Sequence, residues 1–334
     1  MTHLRLPRLL PTPPNAHVNR TLRFFGFLLG VAIVVWLVAH ADMAALFDVF
    51  ARIGWGFAAI LAARGATIII DCAAWHCLLP RAERPSFAAL LMLRWIGESI
   101  NTTLPAAQIG GEVVRARLLQ RRVAGPAQGA ASVVVDFCLS LFAQILFTLL
   151  GLILLIRLGD RAGWWPAAVS AALAPAFAIA CWELLERRRL IGAAEGWAGR
   201  LGQHRLAAAL AALGVALGLV TGGRAALVRS LAFHLASFIA HAGELWLTLS
   251  LMGLSTGFAE AVLLESLSLA ARSAAFLIPS GWGAQEASLI ALAALVGLPP
   301  ETGLAIGLVK RAREFAIGLP GLAAWAVAER RPVS

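Results

Sequence analysis

Charge is what this sequence has least of. Only 14% of its 334 residues are Asp, Glu, Lys or Arg, against about 25% in an ordinary soluble protein. That scarcity excludes a conventional solvated surface. Apolar runs of about 20 residues recur instead, and 60% of the chain is hydrophobic. The runs are continuous rather than alternating, which argues against a β-barrel and for an all-α polytopic membrane protein. No polar stretch is long enough to hold a nucleic-acid reader, so no nucleic-acid partner is expected. The net charge of +10 reads instead as loops held on the cytoplasmic side. Cys72, Cys77, Cys138 and Cys181 all lie in apolar runs and form no CxxC pair. They read as small core hydrophobes, not as disulfides or metal ligands. HExxH is absent, so that motif gives no support for hydrolysis, and no cofactor is expected.

The tail up to Arg23 is basic, rich in proline and without an acidic residue. No small-residue cleavage site follows a short apolar stretch, so the first apolar run reads as an anchor and not as a removed signal. Residues 1–20 are expected to be a disordered cytoplasmic tail, and 21–330 a single integral-membrane domain. Spans are expected near 22–40, 56–79, 128–156, 165–184, 226–252 and 302–328, with an interfacial helix over 44–53. Segment 206–220 reads either as a short elbow helix or as a further span. The Arg187–Arg189 triplet and Arg330-Arg331 mark the cytoplasmic side, which places both termini in the cytoplasm. The reading is about six full spans plus two re-entrant helical hairpins.

The hairpins are where the charge collects. The first apolar arm carries Arg94, Glu98 and Asn101, breaks at Pro105, passes Gly110-Gly111 and restarts with Glu112 and Arg115. The second carries Arg272, breaks at Pro279, passes Gly281 and Gly283 and restarts with Glu286. In each, a glutamate follows the proline by seven residues, across two glycines. Seven residues before the prolines stand Glu98 and Arg272. Matched breaks entering from opposite sides are the pattern of an inverted repeat with its site between discontinuous helices. The halves would run over about 56–160 and 226–330. Coincidence of spacing is the competing explanation.

A helix starting at such a break offers N–H groups and a positive dipole end, where anions sit well. Arg94, Arg115, Arg272 and Arg313 are candidates to hold a polar head group, with Asp136 nearby in the third span. Each charge also has an ordinary explanation as half of a local pair: Arg64 with Asp71, Arg94 with Glu98, Glu112 with Arg115, Arg311 with Glu314. His234, His241 and Glu244 lie on one span and are the best acid–base candidates. Lone histidines on an apolar helix are more often bonded to a neighbouring helix.

These residues carry a resemblance. Asn101…Leu104-Pro105…Gly110-Gly111-Glu112…Arg115-Ala116 resembles the N-x-x-L-P…G-G-(D/E)-x-x-R-A stretch of the flippase-like family, the transmembrane region of lysylphosphatidylglycerol synthases. Pro279-Ser280-Gly281-Trp282-Gly283…Glu286 resembles its P-x-G-x-G-x-x-E stretch. Arg313…Pro320-Gly321 resembles its terminal R…P…G. The wording around the first motif is most similar to the hopanoid-biosynthesis-associated membrane protein L group. The resemblance implies a bacterial inner-membrane protein with re-entrant helices that moves lipids. Its partners would be membrane lipids and other lipid-biosynthesis or lipid-export proteins. Family members often read Asp-Arg where this chain has Asp136-Phe137. With an end at Ser334, no aminoacyl-transfer domain is expected, and the chain is not read as an enzyme.

The topology generates a first prediction. On a cysteine-free background, an impermeant thiol reagent added outside should label Asp160→Cys and spare Arg188→Cys. The reverse pattern would invert the whole assignment.

Overall fold

The computed structural model of the protein describes residues 51–80, 84–104, 110–123, 126–158, 196–197, 200, 204–221, 223–274 and 284–330. The expected spans over 22–40 and 165–184, the arginine triplet at 187–189, and Pro105, Pro279, Gly281 and Gly283 lie outside the described residues. Within them every regular element is a helix.

The first four helices are α1 (Gly56–Leu78), α2 (Phe87–Thr103), α3 (Gly110–Gln120) and α4 (Pro126–Leu158). After α5 (His204–Thr221) come α6 (Arg224–Leu251), α7 (Phe258–Ala274), α8 (Ala284–Leu295) and α9 (Pro300–Arg330). Local chemistry sets their ends. Ser86 caps α2, its hydroxyl accepting from the N–H of Ala89 at 3.3 Å, a common N-cap. Leu104, held extended by the proline that follows it, stops α2. Gly297, at φ +77°, closes α8. The N–H of Leu298 reaches the carbonyl of Ala293 at 2.9 Å, in a left-handed cap that suits glycine. Pro300 then opens α9 at the position where a missing N–H costs nothing.

Among the described residues three helices are long and apolar enough to cross a membrane: Gly56–Leu78, Ala127–Arg157 and Arg224–Leu251. They match the expected second, third and fifth spans. Ile153, Ile156 and Val228 are exposed on them, as lipid-facing side chains are. Segment 206–220 falls within α5, which packs on α4, with Leu217 and Val220 against Val135 and Leu139.

The helices of the second run are similar in order and length to those of the first. α2 and α7 have 17 residues each, α3 and α8 have 11 and 12, and α4 and α9 have 33 and 31. α1 lies along α6 with opposite direction: Arg64 meets His241, and Asp71, two turns later, meets His234 two turns earlier. The remaining cross-contacts are reciprocal. α2 packs on α9, with Trp95 Nε1 donating to the carbonyl of Ile317 at 3.0 Å. α4 packs on α7, with Gln144 donating to Ser273 at 2.7 Å. Two apolar cores result. One holds Leu93, Ile96, Leu119 and Val133 in the first run, the other Leu245, Leu263, Leu289 and Ile306 in the second.

Close crossings use small residues, as helix packing in lipid favours. Gly318 and Gly321 of α9 lie against Thr103 and Ser99 of α2. A Cβ on Gly111 would collide with the backbone carbonyl of Gly97 where α3 crosses α2. Backbone cannot rotate aside, so Gly111→Ala should destabilise the purified protein by about 1–3 kcal/mol, seen as a lower melting temperature. Nothing lies within 4 Å of a Cβ added at Gly65, so Gly65→Ala should be neutral or slightly stabilising. Equal melting of both variants would contradict this crossing.

Candidate functional site

The polar residues of these helices converge on one buried lattice of ions between the two runs. Its first part centres on Asp136 of α4. One oxygen of that carboxylate accepts from Arg94 of α2 at 3.0 Å and from Arg115 of α3 at 2.6 Å. The other faces Nε2 of His234 on α6 at 3.0 Å. Asp71 of α1 takes the second arm of Arg94 at 3.1 Å and lies 3.5 Å from Nδ1 of His234. Arg115 also holds Glu112 at 3.2 Å and stacks over Trp75, 4.3 Å from the ring centre. That contact adds a cation–π term to a fully buried guanidinium.

The second part follows α9. Glu314 accepts from Arg272 of α7 at 2.8 Å and from Arg311 at 2.6 Å. Arg311 also binds Glu286 of α8 at 2.5 Å. Lys310 pairs with Glu265 of α7, and Arg313 with Glu244 of α6. Arg64 of α1 joins the two parts, bonded to Glu98 of α2 and His241 of α6. An ion taken out of water costs several kcal/mol unless its partners are well placed. Here Arg64, Arg94, Arg115, Arg272, Lys310, Arg311 and Arg313 each face a carboxylate.

Helix register relates the two parts. Arg94 is the eighth residue of α2 and Glu265 the eighth of α7; Asp136 is the eleventh of α4 and Lys310 the eleventh of α9. The same inter-helix ion pair is therefore made twice, with its polarity reversed. Glu112 and Glu286 each stand third in their helices, and each binds an arginine. The partner differs because Arg311, twelfth in α9, corresponds to Phe137 in α4. Register also corrects the spacing counted from the prolines: Arg272 corresponds to Asn101, both fifteenth in their helices, and not to Glu98.

Between Arg64, Glu98, Ser99, Thr102, Arg313, Glu314 and Ile317 lies a small cleft with a cavity volume of about 10 Å³, room for about one water. It is bounded by α1, α2 and α9. Nε of Arg313 and Oε2 of Glu244 are buried beside it without a hydrogen-bond partner.

Of the residues singled out in the sequence, Arg94, Arg115, Asp136, Glu112, Glu98, Arg272, Glu286 and Arg313 all belong to the lattice. Two local pairs form as expected, Glu112 with Arg115 and Arg311 with Glu314. Two do not. Arg64 and Asp71 are two turns apart, about 10.5 Å along the axis, and each turns to another helix. Arg94 passes over Glu98 for Asp71 and Asp136; an arginine four residues before a glutamate is the weaker order on a helix. The N–H of Gly111 is not open to an anion, because Asn101 Oδ1 accepts from it at 2.8 Å. Asn101 is thus a cap for α3. Gly110 stands first in α3, and Pro105, Pro279, Gly281 and Gly283 lie outside the described residues.

The lattice adds Arg64, Asp71, His234, His241, Glu244, Glu265, Lys310, Arg311 and Glu314 to the site. For Arg64, Asp71, His234 and His241 the signal in the sequence was a repeated spacing, seven residues in each pair.

Apolar spanning helices enclosing such a lattice define a helical membrane protein. The chain matches the family described as lysylphosphatidylglycerol synthase TM region over residues 23–321, and it belongs to that family. No curated protein and no solved structure matches it.

The reversed ion pairs give a third prediction. Glu265→Lys or Lys310→Glu alone should cost about 3–5 kcal/mol, read as loss of monodisperse protein. The double exchange should recover most of that, because the opposite polarity is already accommodated at Arg94 and Asp136. A double variant no better than the singles would mean that the two pairs are not equivalent.

Proposed function

We propose that the protein moves a lipid across or within the bacterial inner membrane, by exchange between two halves of an inverted repeat. The halves are α1–α4 and α6–α9, with α2–α3 and α7–α8 as re-entrant hairpins and both termini in the cytoplasm. The observation that carries this reading is the cleft between Arg64 and Arg313 at the seam of the two runs. In this conformation the cleft has room for about one water, so a head group enters only as the two runs part; ionisable groups at membrane depth are usually functional. The antiparallel seam of α1 and α6 and the reciprocal packing of α2 on α9 and α4 on α7 support the repeat. Family membership supports a lipid-related role.

All the lattice cations already face carboxylates, so an anionic head group enters by substitution. Glu98, with 22% of its side chain exposed, is the partner of Arg64 most able to leave. The head group then takes the bidentate face of Arg64, with Arg313 and the hydroxyls of Ser99 and Thr102 within the same cleft. A hopanoid derivative with a polar head would use the same contacts. No catalytic role is assigned. An intramembrane enzyme would draw on His234, His241 and Glu244, and these are engaged by Asp136, Arg64 and Arg313. A third role, as a partner in a lipid-biosynthesis complex, predicts activity only with a co-purifying protein.

The test is transbilayer movement of fluorescent phosphatidylglycerol and phosphatidylethanolamine in reconstituted vesicles. The wild type should accelerate at least one. Arg64→Gln and Arg313→Gln should each lose at least about tenfold, one charge-assisted hydrogen bond being worth about 1.5–3 kcal/mol. Arg117→Gln, at an exposed pair with Glu329, should not. Chemical conversion of the lipid would favour the enzyme, and indifference to both cleft arginines would remove the cleft from the mechanism.

A further inference from the structure

His234 stands apart from the rest of the lattice. Every other buried cation there is an arginine or a lysine. His234 is the imidazole placed between two carboxylates. It is fully buried between them: Nε2 is hydrogen-bonded to Asp136 at 3.0 Å, and Nδ1 lies 3.5 Å from Asp71 without a hydrogen bond. Only the imidazolium has an N–H on each nitrogen. The neutral ring would set one lone pair against a carboxylate. Its counterpart His241 is arranged the other way. There Nε2 faces the guanidinium of Arg64, which has only donors, so that nitrogen must accept and the ring is neutral. Two histidines seven residues apart on α6 therefore sit in opposite protonation states.

The surroundings of His234 close the charge count. Asp71 from α1, Arg94 from α2, Glu112 and Arg115 from α3, and Asp136 from α4 form its cluster. Three carboxylates meet two guanidiniums, and the imidazolium supplies the third positive charge. α7 and α9, also packed on α6, bring Glu265, Arg272, Lys310 and Arg313. These are paired with Lys310, Glu314, Glu265 and Glu244 in turn. Ser230 lies one turn before His234 and Ser237 one turn after, on the same face, with hydroxyls buried at 0% and 1% exposure and without hydrogen-bond partners. Nδ1 of His241, a further turn on, is likewise without one. Ser230, His234, Ser237 and His241 make a polar line along an otherwise apolar helix, at the seam where α6 meets α1.

We propose that His234 is a proton-binding site that couples the relative movement of the two halves to proton uptake and release. With the proton bound, the imidazolium holds α6 to Asp71 of α1 and Asp136 of α4. On release, the ring passes its Nδ1 proton to water, leaving neutral imidazole and a hydronium ion. The cluster is then one negative charge in excess, and in a low-dielectric interior that excess repels across the seam. α6 loosens from α1, and the cleft beyond Arg64 widens. Rebinding of a proton closes it. This holds whichever lipid is moved.

Two measurements test it without a lipid substrate. The first is nitrogen-15 NMR of histidine-labelled protein in nanodiscs at neutral pH, with His234→Gln and His241→Asn to assign the signals. An imidazolium at His234 and a neutral ring at His241 are expected; a neutral ring at His234 overturns the proposal. The second is the labelling rate of Thr102→Cys, in the cleft, by a methanethiosulfonate reagent on a cysteine-free background. Rates are taken relative to denatured protein at the same pH. Between about pH 6 and about pH 10, labelling should rise at least about fivefold, the low end of typical coupling. His234→Arg, whose charge is fixed, should stay at the slow rate throughout, and His241→Asn should keep the rise. A rise that survives in His234→Arg, or no rise in the parent, overturns the coupling. Should these results hold while no lipid moves in vesicles, translocation fails and the proton site stands.

Discussion

Placing charge at membrane depth is the constraint on which the rest of this structure depends. Seven cations and eight carboxylates lie in the lattice. None of them can be left alone there without losing several kcal/mol. Few of the pairs can be made within one helix, so the helices have to converge. Asp136 draws α2, α3 and α6 onto α4; Glu314 draws α7 onto α9; Arg64 ties α1 to α2 and to α6. The apolar cores and the close glycine crossings fill the space that these pairings define. Packing then fixes the geometry, and the geometry keeps the ions satisfied.

The two runs of helices meet the constraint in the same way with opposite signs. Arg94 with Asp136 and Glu265 with Lys310 occupy corresponding positions, and a reversed pair neutralises itself as well as the original does. What duplication of such a unit must preserve is complementarity at each contact, not the identity of the residue. The runs also diverge where the site is. Arg311 binds Glu286, whereas its counterpart Phe137 is apolar and Glu112 turns to Arg115 instead. In the second run four of the lattice charges, Lys310, Arg311, Arg313 and Glu314, lie on α9, and Arg313 and Glu314 line the cleft.

Much of this was legible in the sequence. α1, α4 and α6 were marked by apolar runs of spanning length, and the hairpin arms by prolines and glycines between charged segments. Glu112 and Glu286, each seven residues after a proline, each stand third in their helices and face an arginine. Arg272 was mismatched to Glu98 because the segments joining the hairpin arms differ in length, so counting back from a proline loses the register of the arm before it. Partner choice was the least legible feature. Arg64 and Asp71 share a face yet lie too far apart to touch, and their true partners are on α2 and α6, far along the chain. Asn101 looked like a ligand because it sits in a motif, whereas its side chain is spent capping α3. Lys310, Arg311 and Glu314 were visible as charges on an apolar helix, but their convergence with Glu265 and Glu286 is a tertiary fact.

The lattice borders a small cleft between Arg64 and Arg313. Read as a working site, it holds its carboxylates as stand-ins for a head group that takes their place. The most direct test is an experimental structure of the protein in nanodiscs made from native membrane lipids. The account predicts head-group density between Arg64 and Arg313, with Glu98 turned away from Arg64 and the Arg94–Asp136 and Lys310–Glu265 pairs intact. Lipid confined to the outer apolar faces, with Arg64 still bound to Glu98 in every particle class, would contradict it.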